Sequence, residues 1–212
     1  MRTIRSAFRA VLACVSAAVL ASCSDPVGPD IERQSRPFYY YEGQRIFLNV
    51  DPTRLTVVPV AQGDTNRVRQ VLAEVGLTPQ LMQPLWMENH WFVHLPAGTS
   101  AARAEAAARR LRLNEGVRFA SAAYRVGDDC PLFLVNRLVV AFKPGTDEER
   151  IQRLNTALGM RNELFTTFGT RLYEYPAQME HTPLELAAHY HRQRIVEWAE
   201  ADAINGCLRN DR

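Results

Sequence analysis

The sequence predicts an α+β chain made of two tandem copies of one strand, helix, strand, strand, helix, strand unit, with a short β-meander ahead of the first copy. Three observations predict it. Leu138 to Phe142 reads as a strand, Pro144-Gly145 as its turn, and the following residues as a helix with Ile151, Leu154 and Leu158 on one face and Gly159 as its stop. Leu55, Val68 and Gly76 recur as Leu138, Ile151 and Gly159, each 83 positions later. Leu95-Pro96-Ala97 recurs as Tyr175-Pro176-Ala177 at 80 positions and Phe119-Ala120 as Trp198-Ala199 at 79, so the drift between copies falls in loops.

Taken in order, Arg2, Arg5 and Arg9 precede the apolar run Ala10 to Leu20, which is too short for a permanent membrane span and reads as a signal peptide over 1–22. Leu20-Ala21-Ser22-Cys23 resembles the lipobox of bacterial lipoproteins, which implies cleavage before Cys23 and lipid on that residue. The expected location is therefore the bacterial cell envelope, with membrane attachment through the lipid. Ser24 after the cysteine favours the outer membrane. Lipid chains contribute roughly 0.8 kcal/mol per buried methylene, so two or three of them anchor stably without a spanning helix. Residues 23–37 carry prolines, a glycine and mixed charge without periodicity, and read as a tether.

Residues 38–127 form the first expected unit, and the meander opens it. Tyr39-Tyr40-Tyr41 leads through the turn Glu42-Gly43 into a strand from Arg45 to Val50, and Asp51-Pro52-Thr53 makes a second turn before the strand Leu55 to Val60. Val68, Val71, Leu72 and Val75 give the apolar stripe of one helix, and Ala104, Ala107, Ala108 and Leu111 that of the other. Residues 128–212 form the second unit, in which Thr146 is the expected helix cap ahead of Asp147, Glu148 and Glu149. A repeated strand, helix, strand, strand, helix, strand order is the ferredoxin-like arrangement, two helices on one face of a four-stranded antiparallel sheet.

Phe142-Lys-Pro-Gly-Thr146 with its acidic helix start, Tyr173-Glu-Tyr-Pro-Ala177, and Ile195-Val-Glu-Trp-Ala-Glu-Ala-Asp202 form a spaced series of short signatures. Together they resemble the prodomains of subtilisin-like serine proteases over Leu134 to Ile204, with Ala201 where that family usually has proline. The resemblance implies a ferredoxin-like fold, a non-enzymatic role, and a subtilisin-like serine protease as partner, which the protein would inhibit or help to fold. It also implies docking through the helix-free sheet face, with Tyr173, Tyr175 and Trp198 as candidate aromatic contacts, and a tail at Asp202, Ala203, Ile204 and Asn205 lying in the protease cleft. For the three aromatics, core packing is the commoner use. A surface adhesion or assembly part, or a split protease precursor lacking its catalytic domain, are the alternatives.

After Cys14 leaves with the leader and Cys23 takes lipid, Cys130 and Cys207 remain in an oxidising compartment and are expected to form a disulfide. In the ferredoxin-like strand order, the first and last strands are antiparallel neighbours, which brings the two flanking cysteines together. The formal charge of +2 includes the three leader arginines, so the chain from Cys23 onward sums to −1 and nucleic-acid binding gains no support. Gly98-Thr99-Ser100-Ala101-Ala102 looks like the surroundings of a subtilase nucleophile, but no histidine or aspartate block accompanies it, and a helix cap is the expected role. His189 and His191, two apart on a helix, point to different faces, and His90 and His94 have no completing ligands, so no metal or other cofactor is expected. Glu174, Glu197 and Glu200 are read as keeping the helix-free face soluble.

Overall fold

The computed structural model describes residues 31, 33–61, 64–78, 82–84, 89–127, 131–160, 163–167 and 169–205. Its elements are β1 (Phe38–Tyr41), β2 (Gln44–Phe47), β3 (Asn49–Pro59), α1 (Thr65–Glu74), β4 (Met82–Pro84), β5 (Trp91–His94), α2 (Ala101–Arg112) and β6 (Val117–Arg125). A second run follows: β7 (Pro131–Phe142), α3 (Glu148–Ala157), β8 (Glu163–Thr167), β9 (Thr170–Glu174), α4 (Pro183–His191) and β10 (Val196–Asn205). Eight strands make one antiparallel sheet in the order β4-β5-β3-β6-β7-β9-β8, with β10 along the other edge of β7. Within the first run the order is β6-β3-β5-β4, and within the second β10-β7-β9-β8, so counterpart strands hold counterpart places. The runs join where Tyr124 faces Leu132 and Arg125 faces Pro131.

Helix ends follow from local chemistry. Asp64 accepts from the Arg67 amide at 2.9 Å and caps α1, and Ser100 accepts from the Arg103 amide at 3.3 Å and caps α2. Thr182 and Glu185 exchange bonds with each other's amides at 3.2 and 2.7 Å, a capping box that opens α4. Beyond α1 and α3 the chain reverses through Gly76 and Gly159, at φ 76° and 71°, where a side chain would be strained. The predicted stripes bury Val68, Val71 and Leu72 from α1, Ala104, Ala108 and Leu111 from α2, and Ile151 and Leu158 from the α3 turn onward, in one apolar cluster that spans both runs.

Four expectations are corrected. Thr146 does not cap α3: its hydroxyl donates to the Lys143 carbonyl at 2.7 Å, and Asp147 takes the cap by accepting from the Glu149 amide at 2.9 Å. The meander is a two-stranded hairpin of its own, β1 with β2, closed by Glu42 and Gly43 at φ 48° and 77°. The strand predicted from Leu138 begins at Pro131. Asp51-Pro52-Thr53 is not a turn between strands but an irregularity inside β3, where pairing with β6 slips between Asp51 and Leu55. The buried Asp51 carboxylate accepts from the Thr53 amide at 2.9 Å, from its hydroxyl at 2.5 Å and from Arg125 Nη2 at 2.9 Å, so turn-type bonding is satisfied within a strand. Pro52, with no N–H to give a ladder, sits where the ladder is interrupted.

The described end of the expected tether is docked. Ile31 is buried, Arg33 pairs with Glu180, and the Gln34 amide donates to Glu185 Oε1 at 3.1 Å while its side chain donates to the Leu184 carbonyl at 3.3 Å. The Gln34 side-chain oxygen also accepts from the Phe38 amide at 2.8 Å, which fixes the start of β1 against α4.

Candidate functional site: the helix-free face

Alternation along β7 sorts its residues. Leu134, Leu138, Val140 and Phe142 belong to the apolar cluster, so Arg137, Val139 and Ala141 lie on the opposite face. Register carries that face across the sheet, since Val139 faces Leu172 on β9 and Glu200 on β10, and Ala141 faces Trp198. The result is an apolar centre of Val139, Ala141, Leu172 and Trp198, with Val139, Leu172 and Trp198 only partly buried. Charged groups surround it. Arg137 pairs with Asp202 at 2.6 Å, and Glu174 with Arg118 at 3.2 Å. An apolar centre with a paired polar rim is the anatomy of a protein-docking surface.

The corresponding face of the first run is closed. Thr56, Ser121 and Ala123 are fully buried, as are Phe133 and Val135 at the start of β7. Phe92, which faces Thr56 across the β3–β5 ladder, meets Phe133 with ring centroids 4.0 Å apart. The Phe92–Phe133 contact thus sets the start of β7 against the first run's face, and among the described residues the second run's face is the more open.

The predicted contact residues divide. Trp198 lies on the open face. Tyr173 and Tyr175 do not: each is 1% exposed, and both belong to the apolar core on the helix side. Tyr173 accepts from Asn155 Nδ2 at 2.9 Å, and the Tyr190 hydroxyl donates to Asn155 Oδ1 at 2.8 Å, a polar network within the core. The Tyr175 hydroxyl donates to the His181 carbonyl, and its ring meets Phe119 edge-on at 5.4 Å. Asp202 is held by Arg137, while Ala203, Ile204 and Asn205 continue β10 opposite Leu134, Phe133 and Leu132, so this segment is a paired strand and not a loose tail. Cys23, Cys130 and Cys207 lie outside the described residues.

Ser100, the histidines and Glu200 have definite surroundings. Ser100 is a helix cap, as expected. His191 stacks on Tyr40 with centroids 3.7 Å apart, burial lowers its pKa, and His189 Nε2 lies 3.0 Å from Gln193. Among the described residues no group of three histidine, cysteine or carboxylate side chains is placed to hold a metal. Glu200 is not the solvated group that the sequence suggested: it is half-buried, and burial pushes its carboxyl above the usual range. Arg137, Val139 and Leu172 were missed by sequence reasoning; the period-two alternation of β7 could have found Val139, but its cross-strand partners need the register.

No known family model matches the chain, and no curated protein sequence matches it. No helix among the described residues is long and apolar enough to cross a membrane.

Proposed function

We propose that this chain is an exported, lipid-anchored binding protein of two ferredoxin-like units, and that the second unit docks a subtilisin-like serine protease through its helix-free face. The observation that carries the reading is the open face of Val139, Leu172 and Trp198, in the half whose strands carry the prodomain-like signatures. The strand order β10-β7-β9-β8, with a helix after its first and third strands in the sequence, supports the fold part of the proposal. A preformed sheet face loses little conformational freedom on docking, which favours affinity. Docking by the face needs no rearrangement, whereas Asp202 to Asn205 would enter a protease cleft only by leaving β7. The inhibitory contact is therefore assigned to the face.

The test is inhibition of a panel of subtilisin-like proteases by the whole chain carrying Cys23→Ser, which keeps it in solution. Inhibition that Trp198→Ala weakens tenfold or more supports face docking. Inhibition unchanged by Trp198→Ala, but lost when Asp202 to Arg212 is removed, would return the tail to the mechanism. No inhibition by folded protein would overturn the protease reading. The anchor is tested separately, by release of Cys23→Ser from the membrane fraction.

A further inference from the structure

Between the β1–β2 hairpin and β10 lies a cavity of about 280 Å³. Leu48, Leu134 and Leu184 give it apolar walls, each 3% exposed or less, and Tyr39 borders it. Two carboxylates, Glu200 and Asp202, reach it. They are not equivalent. Asp202 is answered by Arg137 at 2.6 Å, whereas no described residue gives Glu200 an ion pair or hydrogen bond. A half-buried carboxylate beside leucines, which no described residue answers, is a place where a cation from outside can be held. The raised pKa of Glu200, caused by burial, and that of the adjacent Tyr39, raised by burial and by Glu200, fit this picture.

The cavity has a second property. β10 pairs with β7 along one edge, and no described strand pairs with its other edge, which faces the β1–β2 hairpin across the cavity. The pairing irregularity between Ala201 and Ala203 lies at the cavity. Its volume sits at the lower end of the roughly 300 to 1,000 Å³ that ligand sites span, with room for one long side chain. Apolar walls with one carboxylate that no described residue answers match an apolar stem that ends in a cation.

We infer that this cavity receives a lysine or arginine side chain from an extended segment of a protein partner, which pairs with the free edge of β10 while Glu200 holds the cation. The inference stands independently of whether that partner is a protease.

The experiment titrates the whole chain carrying Cys23→Ser with acetylated, amidated Val-Thr-Lys-Thr-Val peptide, followed by calorimetry. Its arginine and norleucine counterparts, and a version N-methylated at both threonines, are the comparisons. The expected result is saturable binding of the lysine or the arginine peptide, with the better of the two naming the preferred cation. Norleucine should bind at least tenfold more weakly, and N-methylation should abolish binding. Glu200→Gln should weaken the basic peptides at least tenfold without changing norleucine, and Glu200→Asp, which keeps the charge, should fall between. Circular dichroism checks that both variants are folded. Equal binding of lysine and norleucine, binding by Glu200→Gln equal to wild type, or no binding by any peptide would overturn the site. Binding that survives N-methylation would overturn the strand pairing.

Discussion

The two halves fill the same three core positions in opposite ways. In the first, Leu72 on α1, Val93 on β5 and Leu111 on α2 meet as apolar side chains, each 0% exposed. At the counterpart places the second half has Asn155, Tyr173 and Tyr190, exposed by 2%, 1% and 0% and joined by two hydrogen bonds of 2.9 and 2.8 Å. The reverse holds on the first strand, where the first half buries Asp51 and the second has Leu134. The lesson is that one backbone accepts a polar or an apolar core at the same places, provided that the polar groups set there are hydrogen-bonded to one another. A hydrogen-bonded network also fixes side-chain orientation more narrowly than leucines do, which suits the half that presents the open face.

The comparison can be broken most forcefully at the cysteines. Both lie in or beside the second half, and the last described pair of the β7–β10 ladder is Leu132 with Asn205, two positions inside Cys130 and Cys207. Non-reducing peptide mapping should find Cys130 joined to Cys207, and their replacement should cost about 4 kcal/mol from the loop entropy restored to the unfolded chain. Two free thiols in protein from its native compartment would refute the bond.

Next in size is Asn155→Leu, which strands two buried hydroxyls and should cost about 2–4 kcal/mol in denaturant unfolding. Adding Tyr173→Phe and Tyr190→Phe should recover most of it, because the whole site then becomes apolar like its counterpart. A triple variant no more stable than Asn155→Leu would show that the halves differ in shape as well as polarity.

Asp51→Asn tests the first half's own polar site, at about 1–3 kcal/mol. Burial alone would raise the Asp51 pKa, but the Thr53 hydroxyl and amide and Arg125 outweigh it and lower the value. A lowered folded value means that this stabilisation is complete above the unfolded value near 3.9 and is lost as pH falls through the folded one. Acid titration of stability should thus be flatter in Asp51→Asn than in wild type below about pH 4. An unchanged acid limb would assign it to other carboxylates.

The smallest effect sharpens the contrast between caps. Ser100→Ala removes one bond and should cost about 0.5–1 kcal/mol, while Thr182→Ala breaks a capping box and should cost about 1–2 kcal/mol. Equal costs would mean that the reciprocal Glu185 bond adds nothing.

Much of this was legible in the chain. The helix stripes, the glycine stops and the 83-residue spacing marked the counterpart elements, because helix period and left-handed stops are local properties. The Asp51 segment misled because Asp-Pro-Thr carries turn chemistry whether it closes a hairpin or sits in a bulge; only the Arg125 partner, 74 residues away, distinguishes them. Tyr173 and Tyr175 could serve a surface or a core equally well, and Asn155 within a helix stripe gives no sign of two tyrosines waiting for it. The closing of one sheet face and not the other depends on contacts such as that of Phe92 with Phe133, between residues distant in the sequence, which have no local signature.

Arg112 gives that junction a consequence for melting. Its buried guanidinium donates to the Ala120 carbonyl at 2.9 Å and the Glu180 carbonyl at 3.3 Å, so α2 and β6 of the first half and the segment before α4 of the second share one cation. Separating the halves would leave the Glu180 carbonyl unpaired and take from a desolvated charge one of its two partners, while the Ala120 bond stays within the first half. That bond, with the apolar cluster common to both halves, opposes melting of one half before the other. Heat should take both in one cooperative transition, and any strength that the polar network adds in one half protects the other.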